Sequence, residues 1–144
     1  YFTVRADEFD ADLVLKGEEY IRSYLREIQA KGNEASARER NICTILEVAL
    51  EAMLRGVKFL PVDLYESDAS KFLITEHGLR PPLAALQGLG VSAARSLVQA
   101  REEQEFCSIE DLKTRARLSS AVIEVLKNHG CLAGLPECNQ LTLF

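Results

Sequence analysis

Between Leu83 and Leu97 the chain reads Leu-Ala-Ala-Leu-Gln-Gly-Leu-Gly-Val-Ser-Ala-Ala-Arg-Ser-Leu, two apolar arms joined by Gly88-Leu89-Gly90. Glycines either side of one leucine allow a left-handed backbone and leave no Cβ to obstruct an approaching chain. Leu89 between them is placed to pin the bend into a core. The segment therefore predicts a short helix over Leu83–Leu86, a tight turn, and a second helix from Ser92 to about Glu103. The amides opening that second helix point outward and carry the positive end of its dipole. A phosphate can rest there without any base contact. Ser92 is placed to add a hydroxyl, the small Ala93 and Ala94 to allow close approach, and Arg95 to add charge.

The charge pattern supports an anionic partner on one face only. Net charge is -5, which argues against broad, non-specific nucleic-acid binding. Yet His77 to Arg101 contains no carboxylate while it carries Arg80, Arg95 and Arg101, and Lys113 to Ile123 repeats the pattern with Lys113, Arg115 and Arg117. The length of 144 residues suffices for one real core, or two small ones sharing a helix. No apolar run is long enough to cross a bilayer, and no basic-then-apolar leader opens the chain, so neither a membrane nor a secretory address is expected. The chain starts at Tyr1 and its only methionine is Met53, which suits a piece of a longer protein. Cys43, Cys107, Cys131 and Cys138 form no CxxC pair, and His77 and His129 are not at finger spacing from them. They read as reduced thiols of a cytoplasmic protein, with no metal site.

Elsewhere the pattern is mainly helical with a small β portion. Tyr1 to Ala6 predicts a short strand. Leu13, Gly17, Tyr20, Ile21, Tyr24, Leu25 and Ile28 recur at helical spacing and predict one helix from about Asp12 to Ala30. Ser36-Ala-Arg-Glu39 is a capping box for a helix to about Arg55, closed by Gly56. Val62–Tyr65 and Lys71–Ile74 read as strands, and Glu76-His77-Gly78 as a turn. Pro81-Pro82 blocks helix continuation and is the expected domain junction. Ser108-Ile-Glu-Asp111 caps a helix through Arg115, and Ser119 or Ser120 caps another through His129, closed by Gly130. Phe106 to Leu132 is thus a degenerate second copy of the first hairpin, with a glycine-free turn at 116–120. Beyond Pro136 the chain turns polar, then ends in Gln140-Leu141-Thr142-Leu143-Phe144, apolar groups suited to a partner's groove.

Helix, Gly88-Leu89-Gly90 and helix form the pattern of a helix-hairpin-helix motif. Its order with Ala100-Arg-Glu-Glu103, Phe106 to Leu112, Gly130-Cys-Leu132 and a terminal QLTLF resembles the PolC-type DNA polymerase III alpha subunit of Gram-positive bacteria. The resemblance covers essentially the whole chain. It implies the C-terminal region of a replicative DNA polymerase, a nucleotidyltransferase with a 3'-5' proofreading exonuclease elsewhere in the parent. It further implies that 1–80 ends the fingers region, that 81–135 is a tandem duplex-binding module, and that 136–144 is a flexible clamp-binding tail. The expected DNA-backbone contacts are Gly88, Leu89, Gly90, Ser92, Ala93 and Arg95. Gln140, Leu141, Leu143 and Phe144 match the pentapeptide by which such polymerases bind the β sliding clamp. Other replisome subunits are implied partners. Magnesium is implied for the parent polymerase, whose catalytic aspartates lie outside this chain, and no cofactor for the fragment itself. Gln87 departs from the proline common at that position, which implies a less rigid turn. Glu18-Glu19 and Glu102-Glu103 diverge on helices and read as solvated faces rather than catalytic pairs.

Two other readings start from the same residues. The hairpin also occurs in DNA-repair nucleases and ligases, whose catalytic motifs would lie upstream. Alternatively, the glycine turn is structural and the domain binds other proteins.

Overall fold

A computed structural model describes residues 1–3, 6 and 8–138. Helices α1 (Ala11–Leu15), α2 (Glu18–Lys31) and α3 (Ala37–Leu54) come first, then strands β1 (Leu73–Thr75) and β2 (Gly78–Arg80), then α4 (Val91–Glu103), α5 (Ile109–Arg115) and α6 (Ser120–His129). The expected class, mainly α with a small β portion, is what forms.

The single helix predicted over 12–30 is two. Asp10 caps α1 by accepting the Leu13 amide, and Gly17, at φ 99°, opens α2 at a new angle. The break lets Leu13 and Val14 as well as Ile21, Leu25 and Ile28 reach the core. The capping box forms as expected: Ser36 Oγ accepts the Glu39 amide and Glu39 accepts the Ser36 amide. Ile45, Leu46 and Ala49 are the buried stripe of α3.

The strand predicted over Tyr1–Ala6 is not seen at its described residues, where Tyr1–Thr3 form a turn. Phe2 instead packs edge-on against Phe9 and Phe59 and beside Phe72. Val62–Tyr65 is also no strand. The Asp63 carboxylate accepts the amides of Tyr65 and Glu66, turning the backbone that a ladder would need. Strands β1 and β2 pair antiparallel with Ile74 opposite Leu79, and Gly78, predicted as turn, begins β2. Leu79 bonds on its other side to the 58–60 segment.

Past Pro81-Pro82 the predicted first arm is one 3-10 turn, Leu83–Ala85. Helix α4 buries Ala94, Leu97 and Ala100, so Ala94 faces the core, while Ala93 and Val98 are half-buried. Ser108 and Ser119 cap α5 and α6, and Gly130 closes α6 in the left-handed region. One buried cluster runs from Phe9 to Leu132. Polar ties cross between the first and last thirds. The His129 ring, 1% exposed, holds Asp12 Oδ1 at 2.5 Å through Nδ1. Its Nε2 accepts the Val62 amide at 2.9 Å, which puts the ring proton on Nδ1. Spacing to cysteines is the wrong criterion for this histidine, whose role is to fasten three segments.

Candidate nucleic-acid interface

The bend at 88–90 has the predicted form. Gly88 sits at φ 93°, and a Cβ there would approach Val125 Cγ2 to 3.1 Å. Leu89 is 3% exposed and its amide donates to the Leu86 carbonyl. Gly90 is exposed at φ -73° and serves as N-cap of α4 with no side-chain hydrogen bond to the first turn. The leading amides of α4 are therefore left to face outward at the positive end of a 13-residue helix. A shallow concavity of 340 Å³ lies over the stretch from Ala84 to Val91. Ser92 and Arg95 are exposed and Ala93 is half-buried beside it. Arg95 has no hydrogen-bond or ion-pair partner among the described residues.

The other cations of the acid-free windows are mostly structural. Arg80 donates to the Pro61 carbonyl and Arg101 to that of Leu64. Arg115 donates to the carbonyls of Ala100, Gln104 and Glu105, pairs with Asp111, and lies 4.9 Å from the Phe106 ring centre. Only a folded chain reveals these partners, since the carbonyls that hold an arginine leave no trace in composition.

The second turn copies the first position by position with different chemistry. Arg117 occupies the left-handed site at φ 56°, where the first turn has Gly88. Leu118 is buried like Leu89, and Ser119 stands where Gly90 does. Ser119 Oγ accepts the Val122 amide at 3.2 Å. A Cβ is present and one leading amide is occupied, so this turn lacks the bare main chain of the first. Exposed Arg117 remains as a side-chain charge.

Gln87 is held at both ends of its amide rather than left loose. Nε2 donates to the Phe9 carbonyl at 2.9 Å, and Oε1 accepts from Arg38 Nη2 at 3.0 Å. Sequence reasoning missed Arg38 because it lies 49 positions away.

Among the described residues no three His, Cys, Asp or Glu side chains converge in a group that could hold a metal ion. Burial, reinforced by the charges of Asp63 and Asp12, pushes the Cys131 thiol up to about 12, which favours the protonated thiol. No described helix is long and apolar enough to cross a membrane. The tail residues Gln140, Leu141, Leu143 and Phe144 lie outside the described residues. The stretch leading to them is fastened: the carbonyls of Pro136 and Glu137 accept the Ile109 and Glu110 amides at the start of α5.

A bare-amide bend followed by a second, capped helix pair defines a class of fold, and comparison with known families agrees. A family model described as a helix-hairpin-helix motif matches residues 56–141, and the chain belongs to that family. Among curated proteins it is similar to "DNA polymerase III PolC-type" of Caldanaerobacter subterraneus subsp. tengcongensis, 59% identical over all of this chain. The proteins of the same name from Clostridium perfringens and Bacillus subtilis are 56% and 51% identical, again over all of this chain. The chain spans about 10% of the length of each of these relatives.

Proposed function

We propose that this chain is a non-catalytic region of a bacterial replicative DNA polymerase that grips the backbone of duplex DNA and tethers to the β sliding clamp. The observation that carries the DNA half is the uncapped start of α4 behind two exposed glycines, with the exposed Arg95, partnerless among the described residues, one turn in. Similarity along the whole of this chain to a tenth of three polymerases of one name supports the parent activity. In this reading residues 81–135 form the duplex-binding module. Gly88, Gly90, Ser92, Ala93 and Arg95 surround a phosphate, with Leu89 holding the bend beneath it. Polymerisation, its magnesium and the proofreading exonuclease belong to the rest of the parent, which works in the cytoplasm with other replisome subunits. The clamp half rests on the sequence Gln140-Leu141-Thr142-Leu143-Phe144 alone. Phosphate contacts make binding salt-sensitive and nearly sequence-independent. Few contacts make it weak, and the clamp offsets that by raising the local concentration of the hairpin at DNA.

Two variants separate the halves. Gly90→Val adds bulk where nothing lies within 4 Å and φ suits any residue, so the fold tolerates it. It should weaken duplex binding, read by fluorescence anisotropy, and leave clamp binding intact. Deletion of Gln140–Phe144 should do the reverse. Equal damage to both activities by both changes contradicts a two-site protein.

A further inference from the structure

Two concavities meet at Gln87. One lies over the glycine bend, and the other, of 290 Å³, is lined by Glu8, Arg38, Asn41, Ile42 and Gln87. The Gln87 amide stands between them, held by the Phe9 carbonyl and by Arg38. Arg38 is exposed on the first turn of α3, and no carboxylate among the described residues pairs with it. A guanidinium has five N–H donors in a planar fork, so one bond to Gln87 leaves the rest for an oxyanion. Asn41, three residues on, is exposed beside it. Each DNA strand carries one phosphate per about 3.4 Å of helix axis, so a strand seated on the bend must lay charge across the adjoining surface.

We propose that the anion-binding surface continues from the glycine bend past Gln87 onto α3, where Arg38 and the Asn41 amide hold a further phosphate of the same strand. Glu8 lines the same cleft. Arg38 and Asn41 precede residue 56, where the hairpin family match begins, so the motif alone does not supply this contact. Gln87 then acts as a positioning residue that fixes the Arg38 fork relative to the bend. The inference rests on the duplex-binding reading above.

The test is a salt titration of duplex binding by the 144-residue chain with four variants. Each phosphate contact adds about 0.9 to the slope of log K against log salt, or about 3.5-fold of the affinity lost between 50 and 200 mM. Arg38→Ala should lower the slope by that amount, and Arg38→Lys should restore it. Gln87→Ala removes the strut but keeps the cation, so it should reduce affinity without changing the slope. Gly90→Val should weaken binding independently. A normal slope and affinity for Arg38→Ala beside a weakened Gly90→Val overturns the extension and leaves the hairpin reading standing. So does an Arg38→Lys variant that fails to restore the slope lost in Arg38→Ala. A silent Gly90→Val sinks the hairpin reading, and the extension with it.

Discussion

Gly88 and Gly90 look interchangeable in the sequence and do different jobs in the fold. Gly88 is required by its backbone, since φ 93° disfavours any side chain and Val125 crowds the Cβ position. Gly90 has ordinary dihedrals and open space, so its missing side chain matters for what approaches from outside. The second turn shows the alternative, with the Ser119 hydroxyl oxygen at the equivalent site accepting from a leading amide, that of Val122. Gly90→Ser should therefore separate stability from binding. Serine is a better N-cap than glycine by a few tenths of a kcal/mol, so thermal unfolding should shift slightly upward. On the proposed reading the same hydroxyl would occupy an amide that otherwise holds phosphate, so duplex affinity should fall. A variant that gains stability and keeps full affinity would show that the leading amides are not the anion contact.

At the level of elements, local chemistry was the most readable part. The capping box at Ser36, the glycine stop at 56 and the serine caps of α5 and α6 involve residues within one turn of each other, so four-residue patterns declare them. The Glu39 carboxyl is held below its usual range, first by the hydrogen bond from Lys31 Nζ at 2.6 Å and then by the Ser36 amide. A carboxyl with a lowered folded value stabilises the native state above its unfolded value and loses that effect as pH falls through the folded one. Ser36→Ala should cost about 1 kcal/mol at neutral pH. Acid titration of the native protein should release the start of α3, seen as faster exchange of the Ser36 amide, relative to its intrinsic rate at the same pH, below the usual carboxylate range. Unchanged exchange on acidification contradicts the role of Glu39. Less was legible where tertiary partners decide. The turn in place of a first strand goes with Phe2 packing on Phe59 and Phe72, remote in sequence, while the break at Gly17 and the loop after Val62 have local causes that hydrophobic periodicity does not register. In α4 both Ala93 and Ala94 were expected to allow close approach from outside, yet Ala94 faces the core, because both are small and apolar and periodicity alone does not choose between them.

Across the whole molecule, the hairpin is mounted on the helices that precede it. Gln87 reaches Phe9 and Arg38, Arg101 reaches Leu64, and His129 joins Asp12 to Val62, all by side chains to targets remote in sequence. No periodicity marks such links, so a hairpin could be recognised from its glycines while its setting could not. If DNA is held at the bend as proposed, force on it passes into α1 and α3 through a shared core. The bend itself is best probed directly, by following backbone amide resonances of the 144-residue chain during titration with a short duplex at low salt. Progressive shifts centred on Gly88 to Ala94, reversed by added salt, are expected if main-chain nitrogens there hold a phosphate. Binding that leaves those resonances in place and moves others, or no binding at all, would contradict it.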